Sequence, residues 1–154
     1  MYKSILVPLD GSKRAEVILS HVESIAKSNG AKVLFLKVEE EPIMLERDEV
    51  IDIEKYHEVF DRQNELSQAY LDGLKTRFDA QDIQAVTKLA FGSVVKAILN
   101  TAAETGADLI AMATHGLSGL ARVSYGSVAA GVLQAADIPI LLIRSCSDQK
   151  GETC

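Results

Sequence analysis

The stretch Met112–Val132, MATHGLSGLARVSYGSVAAGV, predicts a strand that passes through a glycine-containing loop into a helix. Its first residues are the apolar end of the strand, Gly116 and Gly119 lie in the loop, and Gly126-Ser127 opens a segment of small residues. A strand followed by a helix is the repeating unit of a parallel sheet that carries helices on its faces. The rest of the chain repeats this unit.

Five short runs are mostly apolar instead of alternating between apolar and polar residues, which is typical of parallel strands that are buried on both faces. They are Lys3–Leu9, Lys32–Val38, Ile83–Ala90, Asp108–Ala113 and Ile138–Ile143. Segments of helical period alternate with these runs. The sequence therefore predicts a single α/β domain, Rossmann-like and doubly wound, with a five-stranded parallel sheet and about four helices. We assign residues 1–146 to this domain and residues 147–154 to a polar tail.

Capping residues delimit the first and third helices. Ser12 can cap the start of the first helix, and Asn29-Gly30 supplies its stop. The third helix follows Gly92-Ser93 and ends at Thr105-Gly106. Both helices are predicted to end at a glycine, which adopts the left-handed conformation without strain.

The second and fourth helices are not bounded by a capping residue at one end and a glycine at the other. The second is predicted from about Glu54 to Phe78, with many charges on its outer side. Its core-facing stripe is predicted to be Leu66, Tyr70 and Leu74. The fourth begins at Gly126-Ser127 and ends near Asp137, because Pro139 cannot continue a helix.

Charge and hydropathy exclude two classes of partner. The net charge of -6 and the pI of about 5.1 argue against a nucleic-acid partner, because nucleic-acid binding needs a basic face. No apolar run reaches the roughly 18 residues of a membrane span, and the N-terminal segment lacks the pattern of a cleaved secretory signal. We expect a cytoplasmic protein without membrane insertion.

Ligands of doubly wound sheets bind at the carboxyl ends of the strands, where the direction of winding reverses. The first strand ends in Pro8-Leu9-Asp10, and the fourth ends in Ala113-Thr114-His115. These two exits are neighbours if the winding reverses between strands one and four. Glycines in the following loop would let main-chain N–H groups approach an anion, and the first turn of the fourth helix adds further donors.

Over Ile5–Arg144 the sequence resembles the universal stress protein family. The resemblance is carried by ILVPLDGS at 5–12, LIAMATHGLSGLARVSYGSVA at 109–129 and IPILLIR at 138–144. Nucleotide-binding members carry the pattern G-x2-G-x9-G-(S/T), in which Ala113 replaces the first glycine here and Gly116 and Gly126-Ser127 match the rest. Because Ala113 ends a predicted strand, we expect an extended backbone there that tolerates the methyl group.

The resemblance implies the sheet order 3-2-1-4-5 and an adenine nucleotide, ATP or AMP, in the crevice. It implies an adenine slot formed by Pro8 and the backbone of Val38, with Asp10 near the ribose or near a metal ion, Mg²⁺ or Mn²⁺. The resemblance and the glycine loop together indicate further candidate nucleotide-binding residues. These are Leu9, Met112, Ala113, His115, Gly116, Gly119, Gly126, Ser127 and Val128.

The family also implies a homodimer formed through the last strand, residues 138–144. This interface has an independent physical motive, because IPILLI would be an apolar edge strand whose backbone groups can pair with another chain. A two-fold axis would cover both edges at once.

The leading interpretation is a stress-associated regulatory protein whose nucleotide occupancy alters the dimer surface or the acidic segment 39–52. The sequence lacks the P-loop pattern G-x4-G-K-(S/T) and offers no convincing general base, so no catalytic residue is assigned and any ATP hydrolysis is expected to be slow. The alternative is a stress protein of the same fold that binds no nucleotide and acts through protein–protein interaction. Ala113 is the residue that keeps this alternative open.

Overall fold

A computed structural model describes residues 1–40, 53–115 and 126–145 of the chain. Strands and helices alternate through these residues. The strands are β1 Ser4–Pro8, β2 Lys32–Glu39, β3 Ala85–Phe91, β4 Leu109–Ala113 and β5 Ile140–Ile143. The α-helices are α1 Leu19–Asn29, α2 Ile53–Asp79, α3 Val94–Thr105 and α4 Ser127–Ala135. The predicted strands and helices are confirmed, with boundaries shifted by a few residues.

The strands form a parallel sheet in the order β3-β2-β1-β4-β5, as predicted. The chain winds outward from β1 to β3 and then returns to the other side of β1 for β4 and β5. The β1–β2 ladder extends as far as the pairing of Pro8 with Leu36. The β1–β4 ladder pairs Ile5 with Leu109 and Leu6 with Ile110. The carboxyl ends of β1 and β4 therefore part at the place where the winding reverses.

Two apolar clusters cover the two faces of the sheet, because successive strand residues point to opposite sides. Ile5 and Val7 of β1 face α1 and α2, whereas Leu6 between them faces α3 and α4. Phe35 of β2 meets Phe78 of α2 edge to face, with 4.8 Å between the ring centroids. Full burial of such side chains stabilises the fold by about 1.5–3 kcal/mol each.

The first helical segment begins with a 3-10 turn, Ala15–Ile18, before α1. The Ser12 hydroxyl oxygen accepts a hydrogen bond from the Ala15 amide at 3.2 Å, so the predicted cap acts on this turn. The helices α1 and α3 end at Gly30 and Gly106, whose φ angles are 62° and 63°. Both predicted glycine stops are confirmed.

The buried face of α2 differs from the predicted stripe. Leu74 is buried and Tyr70 is half-buried, but Leu66 is 59% exposed. Leu66 and Leu74 are eight residues apart, which is about 80° around a helix of 3.6 residues per turn, so one narrow face does not hold both. The buried residues of α2 are Ser67, Leu71, Leu74 and Phe78.

Several predictions concern residues outside the described ranges. The residues concerned are 41–52 of the acidic segment, 116–125 of the glycine loop and the polar tail after residue 145. None of the helices described above combines the length and apolarity that crossing a bilayer requires.

Candidate functional site

A cavity of about 510 Å³ opens at the carboxyl ends of β1, β2 and β4. Its volume lies within the range of roughly 300–1,000 Å³ that is typical of small-molecule sites. The cavity occupies the place where the direction of winding reverses, which is where doubly wound sheets bind their ligands. Its walls come from the strand exits, from α3 and from the first turn of α4.

The structure brings together the predicted site residues that it describes. Those lining the cavity are Pro8, Leu9, Asp10, Val38, Met112, Ala113, His115, Gly126, Ser127 and Val128. The other two predicted residues, Gly116 and Gly119, lie outside the described ranges. One connected cavity therefore joins the ends of three strands with the start of α4.

Asp10 forms the polar wall at the exit of β1. Its Oδ1 accepts hydrogen bonds from the Ser12 amide at 2.9 Å and from the Ser12 hydroxyl at 2.6 Å. Gly11 between them has a φ angle of 86°, a conformation that favours glycine, and this lets the chain turn sharply over the carboxylate. Asp10 thus stabilises the turn that follows β1 and also presents a negative charge to the cavity.

The residues described by the structure include no cluster of three or more histidine, cysteine, aspartate or glutamate side chains that could hold a metal. A divalent cation beside Asp10 would therefore depend on oxygen atoms from a ligand and from water, as Mg²⁺ commonly does when it binds with phosphates.

The exit of β4 carries the start of α4. Ala113 is the last residue of β4 and is paired with Ile143, so its backbone is extended as expected. The Thr114 carbonyl oxygen accepts a hydrogen bond from the Gly126 amide at 2.8 Å. A Cβ atom on Gly126 would lie 2.8 Å from that same oxygen. Gly126 is thus needed for close main-chain contact, and its own amide is hydrogen-bonded to the exit of β4.

The next amides of α4 differ from that of Gly126. Hydrogen bonding within the helix begins when the Ala130 amide donates to the Gly126 carbonyl oxygen at 2.9 Å. The amides of Ser127, Val128 and Ala129 precede this bond and have no acceptor within the helix. All three residues line the cavity. The positive end of the α4 dipole and these donors make this wall suitable for an anion.

His115 lines the cavity next to this wall. Its Nδ1 lies 2.9 Å from the Thr114 hydroxyl oxygen, and its main chain is hydrogen-bonded to Ser145. These contacts fix the ring at the exit of β4. The position of the ring in the cavity wall suits a polar contact with a ligand.

A charged cluster that the sequence analysis missed lines the cavity at the exit of β2. Lys37 Nζ contacts Glu39 Oε1 closely and donates to Ser67 Oγ at 3.0 Å, and Ser67 also donates to Glu39. The Lys37 and Glu39 side chains are 11% and 15% exposed. Burial opposes ionisation of Glu39, but hydrogen bonds from Lys37, Ser67 and Gln63 together with the Lys37 charge outweigh it and hold the pKa of Glu39 below its ordinary value of 4.5.

The signal for this cluster was present in the sequence. Lys37 and Glu39 flank Val38 and alternate with it along β2, so they face α2 while Val38 faces α3. Charged residues at alternate positions of an otherwise apolar strand indicate a polar neighbour on one face. Ser67 could not be paired with them from the sequence, because the contact depends on how α2 packs against β2.

Comparison with known proteins agrees with this architecture. Residues 1–144 match the model of the universal stress protein family. The universal stress protein MJ0577 of Methanocaldococcus jannaschii is 29% identical, with 94% of this chain and 96% of that protein covered. Its solved structure superposes with a TM-score of 0.83 at 26% identity, over 96% of this chain and 99% of that one.

Two other solved structures have the same fold at lower identity. A universal stress protein in complex with cAMP has a TM-score of 0.68 at 21% identity, over 94% of this chain and 98% of that one. A family protein from Arabidopsis thaliana with AMP bound has a TM-score of 0.67 at 16% identity, over 95% of this chain and 94% of that one. The family model extends across the whole sheet and every cavity-lining residue named above, and this chain belongs to the universal stress protein family.

Proposed function

We propose that this protein binds an adenine nucleotide, AMP or ATP, in the cavity between β1 and β4 and acts as a nucleotide-responsive regulator. One observation carries the proposal. The cavity at the winding reversal has the first-turn amides of α4 on one wall and the carboxylate of Asp10 on another. Two universal stress proteins of the same fold were solved with cAMP and with AMP, which supports this class of ligand.

The phosphate end of the ligand would lie at α4. One helix dipole contributes about 0.3–2 kcal/mol to an anion, whereas micromolar binding requires about 8 kcal/mol. Hydrogen bonds from the amides of Ser127, Val128 and Ala129 to a charged phosphate would contribute about 1.5–3 kcal/mol each. His115 is a further polar contact for the phosphates.

The nucleoside end would supply the remaining binding energy. Pro8 and the backbone of Val38 would enclose the base, with Leu9, Met112 and Ala113 beside the nucleoside. Asp10 would accept from the ribose hydroxyls or hold Mg²⁺ or Mn²⁺ together with phosphate oxygens. The cation would offset the charge repulsion between the phosphates and the carboxylates of the cavity.

The regulatory part of the proposal rests on the edge strand. β5 is the edge strand next to β4 in the sheet and is paired with β4 on one side. We propose that residues 138–144 form the interface of a homodimer, so that a ligand held at the β4 exit would act next to the interface. The domain is proposed to comprise residues 1–146, followed by the polar tail.

Replacing Ser127 tests the amide wall directly. Ser127→Pro removes the amide of the first helical residue, a position where proline is well tolerated. Gly126 has φ -53° and ψ 152°, the conformation that a residue before proline prefers, so the helix should still form. Ser127→Ala is the matched control, because it removes the hydroxyl and keeps the amide.

Calorimetric titration with AMP, ATP and adenosine, with and without Mg²⁺, gives the readout. We expect Ser127→Pro to bind AMP about tenfold more weakly than Ser127→Ala, which corresponds to the loss of a hydrogen bond to a charged group. Adenosine should bind both variants equally. Equal AMP affinity in the two variants would show that the phosphates lie elsewhere. A wild-type protein that binds none of the three at millimolar concentration would instead favour a role in protein–protein interaction.

A further inference from the structure

We propose that Ser145 is a positioning residue whose hydroxyl holds the anion-binding end of the cavity in its working geometry. The inference rests on the proposed function, because it assigns the phosphate subsite to the β4 exit. Ser145 lies one position beyond the last residue matched by the family model, so that match gives it no role.

The Ser145 side chain joins three separate segments. Its hydroxyl oxygen accepts from the His115 amide at 3.3 Å. Its proton faces two carbonyl oxygens, that of His115 at 3.0 Å and that of Arg14 at 3.1 Å. The Ser145 amide donates to the Thr114 hydroxyl at 3.2 Å. A single residue beyond β5, Ser145, thus contacts both the β4 exit and the segment between β1 and α1.

The chemistry of these contacts requires a hydroxyl. A hydroxyl has one proton and two lone pairs, so it can accept from the His115 amide while its proton is shared between the two carbonyl oxygens. An alanine methyl group offers neither function and would leave the partly buried main chain of His115 without this support. A threonine would retain the donor and the acceptor.

The contacts matter for the cavity because His115 and Thr114 form its wall. The Thr114 carbonyl oxygen also accepts a hydrogen bond from the Gly126 amide, so the start of α4 is attached to the Thr114-His115 dipeptide that Ser145 contacts. A displacement of this dipeptide would shift the α4 amides relative to the nucleoside end of the cavity. Binding geometry is sensitive to such shifts, because hydrogen bonds weaken steeply with misalignment. Those contacts with the base and the ribose that are made at β1 and β2 would be spared.

The test compares Ser145→Ala, Ser145→Thr and the control Ser28→Ala in the full chain. Ser28 is an exposed residue of α1 whose hydroxyl donates to the carbonyl oxygens of Ser24 and Ile25, at 2.9 and 3.1 Å. It lies near the end of α1 that is opposite the cavity. The Kd values of AMP and adenosine are measured by calorimetry, and amide hydrogen exchange of His115 is followed by NMR.

We expect Ser145→Ala to weaken AMP binding about five- to tenfold, the size of one lost hydrogen bond. Its adenosine affinity should stay within twofold of wild type, and the His115 amide should exchange faster. Ser145→Thr should restore AMP affinity, and Ser28→Ala should change neither ligand. A purely structural role would weaken both ligands alike and would overturn the inference.

Two other results would also be decisive. Wild-type AMP affinity in Ser145→Ala would overturn the positioning role while leaving the proposed function intact. A wild-type protein that binds no adenine nucleotide would overturn the proposed function and this inference with it. The two failures are therefore distinguished by whether the wild-type protein binds AMP.

Discussion

The carbonyl oxygen of Thr114 accepts a hydrogen bond from the Gly126 amide at 2.8 Å and stands 2.8 Å from the position that a Cβ on residue 126 would take. The α4 helix therefore begins in direct main-chain contact with the exit of β4. This contact brings the amides that follow Gly126 to the cavity without any side chain between the helix and the strand. The glycine is required by space, since its φ of -53° is accessible to any residue.

Gly126→Ala should therefore destabilise the fold. The methyl group would force α4 away from β4, and overpacking of this kind costs about 1–3 kcal/mol. Gly73→Ala is the control, because Gly73 lies within α2 and a Cβ there would have nothing within 4 Å. This control should stabilise the protein by up to about 1 kcal/mol through helix propensity. Urea denaturation gives both values, and equal stability of the two variants would contradict the spatial argument.

The cluster of Lys37, Glu39 and Ser67 should couple β2 to α2. Lys37→Met leaves a largely buried carboxylate without its cation, and we expect it to lower the free energy of unfolding by about 1–3 kcal/mol at pH 7. The double variant with Glu39→Gln should lose less than the sum of the single variants. A parallel double-mutant cycle on the exposed pair Lys88–Glu104 should give a coupling below about 1 kcal/mol.

Acid should remove the contribution of Glu39. Because the pKa of Glu39 is lowered in the folded protein, its ionised form stabilises the fold above the ordinary pKa of 4.5. As the pH falls below that value, the unfolded chain takes up the proton first and the stabilisation is lost. The difference in unfolding free energy between wild type and Glu39→Gln should thus shrink on acidification. A constant difference from pH 7 to pH 3 would show that Glu39 has an ordinary pKa.

Tyr70 should titrate at unusually alkaline pH. Its hydroxyl donates to Glu16 Oε1 at 2.7 Å. Burial, that hydrogen bond and the negative charges of Glu16 and Asp10 raise its pKa above the ordinary value of 10.0. The chain has four tyrosines. In an ultraviolet titration, Tyr70→Phe should remove a phenolate step that lies above the ordinary value of 10.0.

The same raised pKa has a consequence for stability. Tyr70 stabilises the folded protein below pH 10, and this contribution is lost as the pH rises, because the unfolded chain ionises first. Tyr70→Phe should be about 1–3 kcal/mol less stable than wild type at pH 7, the value of a hydrogen bond to a charged group. The deficit should narrow above pH 10. A deficit that stays constant or widens there would contradict the assigned direction of the pKa shift.

Local patterns predicted the strands and helix ends because burial on two faces and glycine stops leave a local signature. The sheet order came from the family resemblance, since no local pattern states which strands are neighbours. Residues that follow strands directly, such as Asp10 and His115, could be predicted to line the cavity. Ser67 and Ser145 could not, because their roles depend on contacts between elements that are distant in sequence.

The proposed dimer can be tested on the outer edge of β5. The carbonyl oxygens of Pro139 and Ile143 accept from the amides of Ile110 and Thr114, at 3.0 and 2.9 Å, so alternate residues of β5 face β4. The amide of Leu142 lies between two such positions and therefore points to the other edge. Leu142→Pro should remove this outward donor while leaving the β4–β5 ladder in place, because proline is tolerated on an edge strand.

Leu142→Ala is the matched control, since it shortens the side chain and keeps the amide. Analytical ultracentrifugation over a range of concentrations should find wild type and Leu142→Ala as dimers and Leu142→Pro as a folded monomer, with circular dichroism reporting the fold. If the edges pair across a two-fold axis, each lost donor is counted twice, because both copies carry the substitution. The effect on association should therefore exceed that of a single hydrogen bond. A dimeric Leu142→Pro variant, or a monomeric wild type, would exclude an interface built on backbone pairing at this strand.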